Sequence, residues 1–341
     1  MRHLAVVVPR ALGEATRSAL REAGVLLPGF KVARSGEELA FAVREAPTPL
    51  PEGSRTEERD FDEPVPPPPG SYRELVNGLS AEKRALLPRA FDLIGDVVLI
   101  RLPRGLEGSE GLVGEALLKF VPNARVVGVD QGVHGVDRVR RIDRVAGAGP
   151  FATRHRENGL ELEVDLEAAY FSPRLSREHA RIAGQVRPAE TVFDLCCGIG
   201  PFALLIAHAG NAREVFAVDQ NPEAVALVER NAHRLGLLSR VHPVCQDVEA
   251  FLTPERRCSR AILNLPREGI KYLFSVAASV EPAGVLHYYE MSERDGATAR
   301  AAELLRSLPP AGAWRTGEVR VVHPYSPHED LVSYTFQRRA D

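Results

Sequence analysis

The sequence has no hydrophobic run long enough to cross a membrane. Across its 341 residues, no apolar stretch approaches the roughly 20 residues that a transmembrane helix needs. The amino-terminal segment MRHLAVVVPR contains a short apolar run, but it lacks the length and the small-residue cleavage site of a signal peptide. We therefore interpret that run as a first strand and expect a cytoplasmic protein without a membrane partner.

Cysteine is scarce as well. The four cysteines are Cys196, Cys197, Cys245 and Cys258, and no two of them form a C-x-x-C pair. Such spacing supports neither a disulfide framework nor a metal site built on cysteine. We therefore expect neither.

The sequence also lacks an overall excess of positive charge, since its formal net charge is -3. A nucleic-acid-binding protein needs only a local basic face, however. Arginines crowd the segment between residues 138 and 181, namely Arg138, Arg140, Arg141, Arg144, Arg154, Arg156, Arg174, Arg177 and Arg181. Charge alone leaves two interpretations open: a phosphate-binding face, or a solvated surface of an arginine-rich protein.

The composition that is present is ordinary for a globular protein, with 44% hydrophobic and 26% charged residues. The length admits two or three domains. Residues 1–46 have the pattern of a small α/β module, and residues 47–70 form a proline-rich linker that is predicted to stay outside any sheet. Alternating strands and helices predict a middle α/β domain over residues 71–165 and an α/β nucleotide-binding domain over residues 166–341.

One stretch combines the features of a nucleoside site. Residues 193–221, FDLCCGIGPFALLIAHAGNAREVFAVDQN, have the pattern of strand, glycine turn, helix and strand. Gly198 and Gly200 fall at the strand-to-helix turn, where glycine lets the backbone approach a ligand closely. Asp219 ends the second strand, and an acidic residue at that place suits ribose hydroxyls.

The residues around the turn favour one kind of nucleoside. The dinucleotide fingerprint is G-x-G-x-x-G, whereas Ala203 stands here at the position of the third glycine. Asp194, before the turn, would repel a pyrophosphate and suits the cationic amino-acid end of S-adenosylmethionine. The pattern D-x-x-x-G-x-G followed by Asp219 resembles the first two motifs of the class I methyltransferases. We favour that interpretation over a nicotinamide site.

Four loops are expected to converge at the carboxyl ends of the strands, where ligands collect in such sheets. They carry Asp194–Gly200, Asp219–Asn221, Asp247 and Asn264–Pro266. Asp247 is placed to accept a hydrogen bond from the adenine amino group. The alternative for Asp247 is an ordinary loop residue or a helix cap.

The loop Asn264-Leu265-Pro266 is expected to position a base. Many amino-group methyltransferases carry an N-P-P-[YF] motif here, in which the aromatic residue stacks on the target base. That aromatic residue is absent from this sequence. Asn264 offers both a hydrogen-bond donor and an acceptor instead. The alternative is a proline-containing turn with no catalytic part.

Glu178 is the best candidate for a general base. Ser176 is expected to cap a helix whose first turn carries Glu178, and nearby arginines with the helix amino terminus would keep the carboxylate ionised. Such a carboxylate can take the N1 proton of a guanine, while Arg138 stabilises charge on O6. The alternative is a first-turn acid that serves only the helix dipole.

Taken together, these residues resemble the tRNA (guanine-37-N1)-methyltransferases of the archaeal and eukaryotic type. The segments FDLIGDVVLIRLP, GVHG, HRENG, YFSPRLSREHARI, DLCCGIGPF, VDQNP, ILNLP and LHYYE occur in the family's order over nearly the full chain. The resemblance implies a mobile amino-terminal domain that recognises the tRNA elbow, a middle domain and a Rossmann-like class I methyltransferase domain. The last two would hold the anticodon stem-loop.

The resemblance also implies roles for single residues. It places Glu178 on the family's proposed general base within S-P-R-x-x-x-E, Asn264 on the asparagine of N-L-P, and Arg138 on an arginine that assists the guanine. The substrate contacts expected beside these are Arg140, Arg174 and Pro266.

We therefore expect methyl transfer from S-adenosylmethionine to N1 of guanine 37 of tRNA, with the base flipped out of the anticodon loop. The chain is expected to be a monomer, and Mg²⁺ is considered as an assisting ion. Two alternatives stay open. One is a wybutosine-pathway aminocarboxypropyl transferase, which the Asn264–Pro266 loop speaks against. The other is a tRNA-binding protein without turnover, which the intact acids Asp194, Asp219 and Glu178 speak against.

Overall fold

The computed structural model describes residues 1–62, 69–135, 138–326 and 328–340. By its internal contacts, the chain divides into two compact units, Met1–Glu74 and Leu75–Asp341. The three-domain division inferred from the sequence stays a prediction beside this division into two.

The first unit is a small α/β fold around a central strand. Its elements are β1 (Arg2–Pro9), α1 (Gly13–Glu22), β2 (Ala33–Ser35), β3 (Glu38–Ala42) and β4 (Arg55–Asp60). The strands form an antiparallel sheet in the order β2-β3-β1-β4. The apolar run of β1 supplies both faces, because Val6 packs with Leu20 of α1 while Val7 packs with Phe61.

Strand β4 corrects part of the linker prediction. Arg55–Asp60 lies inside the segment expected to stay outside any sheet, yet Val6 pairs with Thr56 and Ala5 with Glu57. Its sequence RTEERD has no apolar side chain, so no hydrophobic alternation reveals it. Charged side chains suit its position at the edge of the sheet, because they discourage pairing with another chain. Residues 63–68 of the same segment lie outside the described residues.

The second unit begins with a smaller sheet. Its elements are α2 (Ala81–Ala85), β5 (Asp92–Ile94), β6 (Val97–Ile100), α3 (Glu110–Phe120), β7 (Val126–His134) and β8 (Val139–Gly147). The sheet order is β5-β6-β7-β8, with only β6 and β7 parallel. Strands β5 and β6 pair antiparallel, and Gly95 and Asp96 lie between them.

A two-stranded hairpin follows, formed by β9 (Ala152–Glu157) and β10 (Leu160–Asp165). Asn158 and Gly159 join the strands with φ angles of 48° and 81°. Two consecutive residues with positive φ are what a tight hairpin turn with the right twist requires, and Asn-Gly is the pair that adopts it most readily.

A seven-stranded sheet with flanking helices completes the unit. Its elements are α4 (Ser176–Ala183), β11 (Thr191–Leu195), α5 (Pro201–Ala209), β12 (Glu214–Asp219), α6 (Pro222–Arg234), β13 (Val241–Cys245), α7 (Val248–Phe251), β14 (Cys258–Leu263), α8 (Ile270–Ser279), β15 (Val280–Glu293), α9 (Ala297–Ser307), β16 (Trp314–Pro324) and β17 (Glu329–Arg338). The sheet order is β13-β12-β11-β14-β15-β17-β16, and β17 runs antiparallel to both of its neighbours. The predicted α/β fold is confirmed.

One hydrophobic core joins the smaller sheet to one face of the large sheet. Val97 of β6, Leu162 of β10, Phe202 of α5 and Val192 of β11 all belong to it. The next residue along β11, Phe193, belongs to a separate core on the opposite face. Residues 75–165 and the large sheet are therefore packed as one body, which agrees with their place in a single compact unit. Among the described residues, no helix is both long and apolar enough to span a bilayer.

Candidate functional site

The carboxyl ends of β11, β12, β13 and β14 open into one cleft. Its wall includes Asp194, Gly198, Asp219, Asp247 and Asn264, one or more from each of the four predicted loops. In a doubly wound sheet this edge, next to the point where the strand order reverses, is where ligands bind. The structure thus brings together the main residues that the sequence singles out.

Two predicted cofactor residues shape the cleft without being part of its described wall. Gly200 is the residue before α5 and has φ 77°. Asn221 caps α6, because its side-chain oxygen accepts a hydrogen bond from Glu223 N at 3.0 Å. Its amide nitrogen also donates to the Ala168 carbonyl at 2.7 Å. Gly200 and Asn221 therefore shape the loops that lead into α5 and α6, outside the described lining of the cleft.

The glycine turn depends on a close backbone approach. Gly198 has φ 56°, and a β-carbon built there would lie 2.7 Å from the carbonyl oxygen of Tyr170. Its N–H donates to Asp219 Oδ2 at 2.8 Å, while Asn221 N donates to Asp219 Oδ1 at 2.9 Å. The turn after β11 thereby fixes the acidic residue that ends β12.

Asp194 is an acidic residue that forms no ion pair with any residue that the structure describes. It is 0% exposed, and its Oδ2 accepts a hydrogen bond from Ala203 N at 3.1 Å. Its Oδ1 has no hydrogen-bond partner among the described residues. Burial, with a further contribution from the charge of Asp219, raises the pKa of Asp194 to about 7. An orphaned carboxylate oxygen at a cleft wall fits a cationic ligand group, such as the amino end of S-adenosylmethionine.

Asp247 both lines the cleft and caps a helix. Its Oδ1 accepts from Glu249 N at 2.8 Å at the start of α7, and its Oδ2 accepts from the Tyr272 hydroxyl at 2.5 Å. Burial alone would raise the pKa of Asp247, but these hydrogen bonds lower it. The cap that the sequence leaves as an alternative is present, and it coexists with a place in the cleft wall.

The loop after β14 presents an unsatisfied acceptor. Asn264 Oδ1 is buried and has no hydrogen-bond partner within the described part of the chain. Pro266 lines the cleft and accepts a hydrogen bond from Met291 N at 3.1 Å through its carbonyl. Because an unpaired buried amide oxygen costs free energy, this loop is suited to a ligand that donates a hydrogen bond.

Glu178 is buried, and its carboxylate is hydrogen-bonded to other side chains of the protein. Arg181 Nη2 and Nε donate to its two carboxylate oxygens at 2.6 and 2.8 Å, and the Tyr289 hydroxyl donates at 2.7 Å. The described cleft wall includes its neighbour His179 but not Glu178. The predicted Ser176 cap is wrong: α4 begins at Ser176 with no side-chain cap, because Leu175 already occupies the N-cap position.

The predicted arginines occupy different environments. Arg138, with φ 52°, lines the cleft and lies 4.0 Å from Glu268. Arg140 also lines the cleft, is 7% exposed and forms a short ion pair with Asp130, another residue of the cleft wall. Arg174 is more exposed and pairs with Asp92 at 2.8 Å. Of the three, Arg140 is the one whose charge is already neutralised in the interior.

The cleft also contains residues that sequence reasoning misses. His179 is 1% exposed, and its Nδ1 lies 2.8 Å from Glu157 Oε1, so Nδ1 donates to that carboxylate. The other ring nitrogen, Nε2, has no partner among the described residues. Tyr170 lies under the Arg140 guanidinium, 5.4 Å from it, and Tyr325 enters from the β16–β17 turn. In the sequence, the HRENG segment draws attention to Glu157 but not to His179, because His179 lies 22 positions further along the chain.

Within the described residues, no group of three or more His, Cys, Asp or Glu side chains is arranged to hold a metal ion.

Comparison with known proteins adds to this geometry. Residues 153–309 match the TRM5/TYW2 methyltransferase domain, and residues 72–150 match the TYW2 N-terminal domain. The chain is 32% identical to the tRNA (guanine(37)-N(1))-methyltransferase Trm5b of Pyrococcus abyssi, over 98% of each chain. The crystal structure of that protein superposes with a TM-score of 0.80 over 99% of both chains.

Two further solved structures are similar. The complex of aTrm5 with tRNALeu has a TM-score of 0.81 and 27% identity, covering 98% of this chain and 100% of that one. TYW2 of P. horikoshii, solved with MeSAdo, has a TM-score of 0.64 and 22% identity, covering 79% of this chain and 98% of that one. At that identity the second likeness extends to the fold alone.

Proposed function

Since this chain belongs to the family of tRNA (guanine(37)-N(1))-methyltransferases, we propose that it transfers a methyl group from S-adenosylmethionine to N1 of guanine 37 of tRNA. The chain is an S-adenosylmethionine-dependent methyltransferase of the α/β class. The observation that carries the proposal is the cleft itself, in which the uncompensated Asp194 and the unsatisfied Asn264 line one wall.

Bound S-adenosylmethionine supplies an electrophilic methyl carbon. Asp194 is placed to take its amino group, directly or through water, because Asp194 Oδ1 has no partner among the described residues. Asp219, held by Gly198 and Asn221, keeps acceptor capacity for ribose hydroxyls. Asp247 lies on the adjacent loop, where it suits the adenine amino group.

The target base must leave the anticodon loop to reach the methyl carbon. Asn264 Oδ1 is suited to accept from an N–H of guanine, and this contact would satisfy an acceptor that is otherwise orphaned. Arg138 brings a positive charge to the same cleft, where it can stabilise charge that grows on O6 as N1 loses its proton.

We further propose Glu178 as the base that receives the N1 proton. Its pKa is lowered below the usual value, because the Arg181 and Tyr289 hydrogen bonds outweigh burial, so it is ionised at neutral pH. To act, the carboxylate has to exchange its Arg181 partner for the substrate, since Arg181 donates to both of its oxygens and Glu178 is not among the residues that line the cleft. Catalytic hydrogen bonds often form only in the substrate complex, and such an exchange on tRNA binding is the step that this role requires.

The wybutosine-pathway transferase is the less favoured alternative, because the similarity to TYW2 of P. horikoshii is low while the similarity to Trm5b spans the chain. Assistance by Mg²⁺, a monomeric state and a cytoplasmic location stay predictions. Chelation with EDTA during turnover tests the first, and sedimentation of the purified chain tests the second.

Nucleoside mass spectrometry tests the function. A tRNA transcript is incubated with enzyme and S-adenosylmethionine, beside a matched transcript in which guanine 37 is replaced by adenine. We expect 1-methylguanosine from the first transcript and none from the second. Undiminished transfer to the adenine transcript would contradict the target, a heavier aminocarboxypropyl product would support the alternative enzyme, and cofactor binding without any product would support a non-catalytic protein.

A further inference from the structure

Tyr325 presents an aromatic ring at the cleft. It follows strand β16, lines the same cleft as Asp194 and Asn264, and is 48% exposed. A backbone hydrogen bond closes the turn that carries Tyr325, since Tyr325 N donates to the Glu329 carbonyl at 3.0 Å. A ring held in this way is a fixed surface for a planar ligand, because aromatic side chains offer a large contact area at low conformational cost.

Two arginines hold the ring from different segments. Arg101 Nη1 donates to the Tyr325 hydroxyl at 3.4 Å, and the Arg267 guanidinium lies over the ring, 5.5 Å from its centroid. Arg267 also pairs with Glu329 at 3.3 Å. The turn that carries Tyr325 is therefore tied directly to the loop that begins at Asn264.

Arg267 has a particular place in that loop. In the N-P-P-[YF] pattern, the fourth residue is the aromatic one that stacks on the target base, and in Asn264-Leu265-Pro266-Arg267 that position is held by arginine. The guanidinium at this position points to the Tyr325 ring. Tyr325, 61 positions after Asn264 in the chain, brings an aromatic ring to the same cleft.

We infer that Tyr325 is the stacking platform for the flipped guanine of the substrate. The inference rests on the proposed function and adds a residue that positions the base. Asn264 would bind the edge of the guanine, while the Tyr325 ring covers its face and Arg267 and Arg101 keep the ring in place. Single bases in RNA-binding proteins are held in this way, by hydrogen bonds to their edges and aromatic stacking on their faces.

Steady-state methylation with three variants tests this role. Tyr325→Leu removes the ring, and we expect kcat/KM for tRNA to fall roughly 5- to 150-fold, the equivalent of the ~1–3 kcal/mol that base stacking contributes. Tyr325→Phe keeps the ring and should retain most of the activity. Val321→Ala, an exposed position on the same strand β16, is the matched control and should leave the rate unchanged. The affinity for S-adenosylmethionine should be the same in all three variants.

A fluorescent base separates stacking from a structural role. With 2-aminopurine in place of guanine 37 in an anticodon stem-loop, the wild type and Tyr325→Phe should quench the emission, and Tyr325→Leu should leave it bright. Equal quenching by Tyr325→Leu would overturn the inference, and so would an equal loss of activity in Tyr325→Phe. The inference would also be wrong if the variants changed the 2-aminopurine emission only when the probe stood at position 36 or 38 instead of position 37. The wild-type nucleoside analysis is independent of these outcomes, so a failure of the proposed function would be recognised separately.

Discussion

The hydroxyl of Tyr289 donates a hydrogen bond to Glu178 over 2.7 Å, although 111 positions separate the two residues in the chain. Both side chains are buried, and Arg181 completes the arrangement from the next turn of α4. A buried carboxylate with three such bonds is held ionised and in one orientation. The proposed base is therefore ionised, and its hydrogen bonds to Arg181 have to break before it can accept a proton.

Replacement of Glu178 by glutamine tests its role as base. The amide keeps the size of the side chain but cannot accept the N1 proton, so the single-turnover methylation rate should fall by about 10²- to 10⁴-fold. The affinity for S-adenosylmethionine, measured by calorimetry, should not change. Glu167→Gln, at an exposed glutamate, is the control. An unchanged rate in Glu178→Gln would remove the base assignment and leave the fold and the target untouched.

Binding of S-adenosylmethionine should depend on pH through Asp194. The ionised carboxylate attracts the cationic amino group, and the pKa of Asp194 is raised to about 7 in the folded protein. Affinity should therefore rise roughly eightfold between about pH 6 and pH 7.5, as the ionised fraction grows. Calorimetry across this range measures the effect.

Two variants check the source of that pH dependence. Asp194→Asn should bind more weakly and show no rise in this window. Asp247→Asn should keep the rise, because hydrogen bonds hold the pKa of Asp247 low and it is already ionised. A rise that persists in Asp194→Asn would assign the titration to another group.

Substitution of Gly198 by alanine should disrupt the turn. A positive φ costs an L-residue about 1–2 kcal/mol, and the clash of the new β-carbon with the Tyr170 carbonyl should add about 1–3 kcal/mol. Gly108→Ala is the matched control, because Gly108 has φ 75° and open space around it. This variant should lose only the ~1–2 kcal/mol of unfolding free energy that the positive φ costs. Urea unfolding measures both losses of stability. Equal losses would show that the Tyr170 contact is relaxed in solution.

The arginine-rich segment should contribute to tRNA binding through phosphates. Arg141 on β8 is exposed, and Arg141→Gln should reduce the slope of log affinity against log salt by about 0.7–0.9, the value for one lost phosphate contact. Arg213→Gln is the control, since Arg213 pairs with Glu214 at the opposite, amino-terminal edge of the large sheet. Filter binding over a range of salt concentrations measures both slopes. An equal effect of the two variants would indicate general charge attraction instead of a located face.

Elements with clear start and stop residues could be predicted from the sequence. Helix α5 spans Pro201–Ala209 as expected, since Pro201 suits a first helical position and Gly210 ends the helix with φ 81°. Strand β8 could not be predicted, because the inward side chain of Arg140 interrupts its alternation and is satisfied by Asp130 and the Phe171 carbonyl, which lie on other segments. A buried arginine is recognisable as such only once its partner is known.

The candidate site was predictable to the same degree. Asp194, Asp219 and Asn264 follow strands whose carboxyl ends meet at one edge, so their convergence follows from the topology. The contacts of Glu178 with Tyr289, of His179 with Glu157 and of Tyr325 with Arg267 join residues that are distant in sequence. Their geometry is set by tertiary packing, which no local pattern encodes.

The continuous core between the smaller sheet and the large one limits how such proteins can be recombined. A chimera that took residues 75–165 from one relative and the remainder from another would have to match Leu162 and Phe202 across the seam, where both side chains lie in the same core. A volume mismatch there would cost stability at the base of the α5 helix that begins beside the cleft. Residues 75–165 and the large-sheet region are thus expected to change together in evolution.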